Sequence, residues 1–185
     1  MPHIPYPSQT EINSESSNML EAFQKAYARP SHIFRLLSWN SNFLQAASHS
    51  WHQLVVEPSR LERRIKEACV VITCSTHNTE YCIEGHSHAL RLQGMSQEQV
   101  KAIQDRDFEG FSDPELSIFR FVHKAAADPK TLTREDYRSL ELLNYSNEVI
   151  LEILGIVWAN TAMNMIVDAL DVRRTDEMKS ELNLD

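Results

Sequence analysis

Residues 67–94 read EACVVITCSTHNTEYCIEGHSHALRLQG, and the fold of the chain turns on how this stretch divides. Cys69, Val70, Val71 and Ile72 form an apolar run too short for periodicity to separate helix from strand. Ser75, Thr76, His77 and Asn78 interrupt it with residue types that favour caps and turns. Thr79 is placed to cap a second helix, of which Glu80, Tyr81 and Cys82 would be the first residues. The stretch therefore reads as the end of one helix, a short polar turn and the start of another.

That division gives Cys82 a chemical role to consider. Unpaired backbone N–H groups and the macrodipole at a helix start favour an anion, and a thiolate is one. His86 lies four residues later, one turn along the same face, within reach of proton exchange directly or through water. Cysteine is also among the most often buried residues, so the pair taken alone fits packing as well as chemistry.

Outward from this stretch the chain is helical in composition. Its 185 residues include only four glycines and seven prolines, and Ala, Leu, Glu, Gln, Lys and Arg fill long segments. The length suits one domain over 1–185 with a proper core, and the Pro/Ser-rich residues 1–17 read as an N-terminal arm. Helices are expected over 18–28, from Pro30, over 39–56, and from Leu61 into the central stretch. Gly94 suits the position just past a helix end, and Ser96 with Gln99 fits a capping box. Asp113 and Pro114 read as the cap and first residue of another helix, and Thr133 caps a further one.

The last helix, 147–170, is apolar on nearly every side, which predicts deep burial and an oligomer interface. Glu152, Asn160, Asn164 and Asp168 interrupt it, so no membrane span is expected. A net charge of −8 leaves no electrostatic footprint for nucleic acid. The start MPHIPYPSQT has neither the basic nor the apolar region of a signal peptide. Three cysteines, an odd number, argue against a disulfide framework and for a reducing, cytoplasmic location.

The segments LERRIKE and YCIEGHSHALRLQG resemble the signature of the carboxymuconolactone decarboxylase/AhpD-like alkylhydroperoxidase family, in its peroxidase-related branch. That signature is a glutamate near a helix start, Cys-x-x-Cys after a turn, and histidine four residues past the second cysteine. Glu67, Cys82 and His86 match it in identity and spacing, and Tyr81 fills the position before the second cysteine. The first cysteine is replaced by Thr79. The likeness extends over about 30–174, through HALRLQGMSQEQV and the 131–153 segment to a final ALDVRR.

The resemblance implies the AhpD-like all-α fold and a homo-oligomer, commonly a dimer, trimer or hexamer. It also implies a relay in which Glu67 orients His86, His86 takes the Cys82 proton, and Cys82 becomes a sulfenic acid on meeting a hydroperoxide. Thr79 keeps a hydroxyl that could bond the sulfur but cannot form the usual disulfide. The sulfenic acid must then be resolved by an external thiol reductant, by another cysteine, or not at all. Cys74, five residues before Thr79, is the nearby substitute if its geometry allows, and packing is its other reading; Cys69 reads as structural.

No cofactor and no metal are expected. His77, Cys82, His86 and His88 include zinc-ligating types, but His88 faces away from His86 on a helix and His77 lies in the turn. Three functions are compatible with these residues: a thiol-dependent peroxidase, a redox-sensing or binding oligomer of the same fold, and a lactone-decarboxylating lyase. The retained Cys82 and the lack of an arginine cluster beside the motif weigh against the lyase.

Overall fold

The computed structural model describes residues 2–27 and 31–174, which form nine α-helices and no strand. In chain order these are α1 (Ser14–Tyr27), α2 (His32–Leu37), α3 (Ser41–Trp51), α4 (Arg63–His77), α5 (Glu80–Leu92), α6 (Gln97–Asp105), α7 (Asp113–Ala127), α8 (Arg134–Leu142) and α9 (Asn147–Ala169). A π-helical turn, His52–Val56, prolongs α3, and a 3₁₀ turn, Pro129–Thr131, comes after α7. The expected helix start at Pro30 and helix end at Ala28 lie outside the described residues.

The apolar run that periodicity left open is helical, and α4 is the axis of the fold. Every residue over 65–75 is buried, because α5, α7 and α9 pack around this one helix. The expected four-residue turn after it shrinks to Asn78 and Thr79, since α4 continues through His77. Thr73 and Thr76 donate their hydroxyls back to the carbonyls of Cys69 (2.8 Å) and Ile72 (2.7 Å), which satisfies both hydroxyls within the helix. Asn78 ends the helix at φ 59°, a left-handed conformation that asparagine tolerates.

The buried polar groups are paired where they meet α9. Lys66 donates to the Glu57 carbonyl at 2.8 Å and forms an ion pair with Glu152 of α9 at 2.6 Å. Removing either partner would leave a charge stranded in the core. Around it, Ile72, Ile103, Phe119, Leu140 and Ile153 belong to one continuous apolar core.

Capping boxes form at Ser96/Gln99 and Thr133/Asp136. The cap of α7 is Ser112 with Glu115, one residue earlier than the expected Asp113. Gly94, at φ 88°, closes α5. The first helix begins at Ser14, shortening the arm expected over 1–17. Residues 2–7 lie against the body: His3 N–H donates to the Leu170 carbonyl at 2.8 Å, and Trp39 and Arg35 donate to the carbonyls of Pro5 and Pro7.

Helix α9 departs from the expected deep burial. Its inner face packs on α3, α4 and α7, while Leu151, Trp158 and Met165 stand out at seven-residue intervals, each more than 60% exposed. By length and composition alone it is apolar enough to cross a membrane, a test that the core helix of a globular protein also passes.

Candidate functional site

Glu67 is carried into the core by α4, with 1% of its surface exposed. Two groups meet its carboxylate. Arg63, one turn earlier on the same helix, donates Nε–H to Oε1 at 2.9 Å, and His86 Nδ1 lies 2.7 Å from Oε2. Burial by itself would raise the Glu67 pKa, but His86 and Arg63 outweigh it and hold the carboxyl below its ordinary range. An ionised carboxylate only accepts hydrogen bonds, so the proton of neutral His86 sits on Nδ1 and Nε2 is left as a base. Arg63 in turn lies over the Trp51 ring, 5.8 Å from its centre.

Cys82 is the third residue of α5 and is 7% exposed. With His86 it lines a cavity of about 390 Å³ whose walls are mainly apolar, among them Phe34, Trp51, Trp158 and Met163. Cys82 and His86 thus line one cavity, and Glu67 holds His86 from the core side. The Cys82 backbone N–H donates to the Thr79 carbonyl at 3.1 Å, so this amide is not left unpaired as a bare helix start would suggest.

Thr79 and Tyr81 stand differently from the sequence reading. Thr79 occupies the cap position of α5, but its side chain makes no capping bond. Its hydroxyl donates to the Asp168 carboxylate of α9 at 2.8 Å, where a charged acceptor outcompetes a thiol. Thr79 therefore ties the turn to α9 and does not hydrogen-bond the Cys82 sulfur through that proton. The Tyr81 hydroxyl accepts from the Ile33 backbone N–H at 3.2 Å, and burial pushes its pKa up to about 12. Tyr81 thus holds α2 against α5 while its ring lines the cavity.

Two residues escaped the sequence reading. Arg63 carried a usable signal, its i,i+4 spacing to Glu67. Arg174 carried none, because it meets the motif from 93 residues away. Its guanidinium stacks 4.1 Å from the Tyr81 ring centre, donates to the Tyr81 carbonyl at 3.1 Å and lines the cavity. Gly85 makes room for it, since a Cβ there would lie 2.5 Å from Arg174 Nη2.

Behind Cys82, away from the cavity lining, lies Cys74, fully buried near the end of α4. Its thiol donates to Asn164 Oδ1 at 3.4 Å and interacts with the thiol of Cys82. Burial, and after it the Cys82 contact, pushes the Cys74 pKa well up, so it stays a thiol. Burial likewise pushes Cys69 up to about 12, in keeping with a structural role. His77 is not loose in the turn: Nε2 faces the Ala126 carbonyl and Nδ1 the Asn164 amide, each at 3.1 Å. Among the described residues no three His, Cys, Asp or Glu side chains converge as a metal-ligand set.

No protein-family model matches the chain, and no curated protein matches it in sequence. Solved structures match along nearly its whole length. The alkylhydroperoxidase AhpD core of an uncharacterized peroxidase-related protein from Ralstonia eutropha JMP134 aligns at 16% identity, covering 96% of this chain and 94% of that one, with a TM-score of 0.88. An uncharacterized peroxidase-related protein from Silicibacter sp. TM1040 aligns at 15% identity, covering 97% and 94%, with a TM-score of 0.87. The debrominase Bmp8, in a variant complexed with 2,3,4-tribromopyrrole, aligns at 15% identity, covering 98% and 96%, with a TM-score of 0.81. Agreement of this extent at such low identity speaks to architecture, and the fold of this chain is the AhpD-like all-α fold.

Proposed function

We propose that the chain is a thiol-dependent peroxidase-related enzyme that reduces an apolar hydroperoxide at Cys82. The observation that carries this reading is His86, held by the buried Glu67 at 2.7 Å, sharing with Cys82 the wall of a largely apolar cavity. His86 Nε2 takes the thiol proton, and the Cys82 thiolate attacks the terminal peroxide oxygen. The O–O bond breaks, the departing alkoxide takes the proton back from His86 as alcohol, and Cys82 is left as a sulfenic acid. Glu67 holds the ring and stabilises the imidazolium between the two transfers. An external thiol of the cytoplasm returns the enzyme to its starting state. The exposed stripe of Leu151, Trp158 and Met165 on α9 supports a homo-oligomer.

The test is consumption of cumene hydroperoxide with dithiothreitol as reductant, the protein compared with its Cys82→Ser variant. Turnover that vanishes with Cys82 supports the reading. A protein no faster than the variant sinks it, and a single oxidation of Cys82 without turnover favours redox sensing. Reductive dehalogenation is a second reading, favoured by the likeness to Bmp8 and by the aromatic walls of Phe34, Trp51 and Trp158. Bromide release from 2,3,4-tribromopyrrole, measured in the same thiol-supported assay, separates it from peroxide reduction.

A further inference from the structure

We infer that Cys74 is the resolving cysteine for Cys82, closing across the α4–α5 turn the disulfide that residue 79 cannot form. This deepens the peroxidase reading and rests on it. The turn itself brings the two residues together: Thr79 N–H donates to the Cys74 carbonyl and Cys82 N–H donates to the Thr79 carbonyl, each at 3.1 Å. Two consecutive backbone bonds therefore link the residues, and their thiols are close enough to interact.

The surroundings divide the labour between the sulfurs. Cys82 faces the cavity, where an oxidant arrives, whereas Cys74 has no exposed surface and lies outside the lining. Asn164 fixes the Cys74 thiol from behind. His77 Nε2–H must donate to the Ala126 carbonyl, so its Nδ1 accepts from Asn164 Nδ2, which turns Asn164 Oδ1 toward Cys74. The thiol is thereby held between an amide oxygen and the sulfur it is to attack. Because burial keeps Cys74 protonated, it does not compete with Cys82 for peroxide.

The Cys74 sulfur attacks the Cys82 sulfur of the sulfenic acid, the S–O bond breaks, and the Cys74 proton leaves with the hydroxide as water. A disulfide remains, and an external dithiol reduces it back to two thiols.

The protein is treated with one equivalent of cumene hydroperoxide, blocked with N-ethylmaleimide and mapped by peptide mass spectrometry. A Cys74–Cys82 cross-linked peptide is expected in the wild type. In Cys74→Ser and Cys74→Ala, the Cys82 sulfenic acid should persist and add dimedone. Dithiol-supported turnover should fall by about tenfold or more, since a positioned thiol outruns a bimolecular one. The wild-type map decides the matter even if neither variant folds. Persistent sulfenic acid in the wild type, or a disulfide to Cys69 or to a second chain, overturns the inference and leaves the peroxidase reading intact. A Cys82 that the peroxide does not oxidise removes both.

Discussion

Glu67→Gln isolates the electrostatic heart of the site, because glutamine keeps the shape of the side chain while exchanging one acceptor for a donor. In the native arrangement one carboxylate oxygen accepts from Arg63 at 2.9 Å and the other faces His86 Nδ1 at 2.7 Å. Arginine has no acceptor, so the amide oxygen of Gln must turn to Arg63 and the NH₂ to His86. His86 Nδ1 then has to accept, its proton moves to Nε2, and the nitrogen available to Cys82 loses its lone pair. The loss should match that of a general acid–base group, about 10²–10⁴ in turnover, or about 3–5 kcal/mol of barrier. The fold should survive, since Arg63 keeps a neutral acceptor and is 26% exposed to water, at a cost of about 1–3 kcal/mol. The assay is peroxide consumption across pH alongside urea denaturation. Glu67 acts only through His86 in this scheme, so Glu67→Gln added to His86→Ala should lower activity no further than His86→Ala alone. A folded Glu67→Gln enzyme within about threefold of wild type, or additive losses in the double variant, would refute the relay.

Thr79→Cys in a Cys74→Ser background should rescue turnover by restoring Cys-x-x-Cys, with the 79–82 disulfide seen by mass spectrometry; a disulfide without turnover would mean the pocket does not suit peroxides. The same change removes the Thr79–Asp168 bond and should cost about 1–2 kcal/mol in denaturant unfolding, towards the low end because Asp168 is exposed. At the start of α8, the bond from Lys124 and the Thr133 backbone N–H hold the Asp136 pKa down to about 2 from 3.8. The unfolded chain therefore binds that proton first, and the contribution of Asp136 to stability is present above pH 3.8 and lost as pH falls towards 2. Asp136→Asn should accordingly lower the melting temperature at neutral pH, with the gap to wild type closing in acid. Light scattering at micromolar concentration should give at least two chains, and Trp158→Glu, a charge placed at the centre of the exposed α9 stripe, should shift the mass toward one; a wild-type monomer would mean the stripe has no partner copy.

The core of the site was legible because its signals are local. The spacing of Cys82 and His86 is one helical turn, and the Gly94 and Ser96 signals depend on a few neighbouring residues, so the chain itself carries them. Misplaced boundaries were also local matters decided by competition. Residues 75–77 favour turns by type, yet the packing of α4 carries the helix through them, with Ser75 buried and the Thr76 hydroxyl bonded back to the Ile72 carbonyl.

What the sequence determined by itself was the helical class, through composition and spacing, and the placing of a thiol and a base one turn apart on a single helix. What only the tertiary structure decided was which distant residues meet the Thr79–Cys82 turn and the Cys74 behind it. Asp168 takes the Thr79 hydroxyl from 89 residues away, Arg174 reaches Tyr81 from 93, and Asn164 approaches Cys74 from 90. The same docking exposes one stripe of α9 although its sequence is apolar nearly all round. Periodicity records which faces of a helix tolerate burial; which groups meet there depends on how α4, α5 and α9 pack, and hydrogen bonds across that packing leave no repeat in the chain.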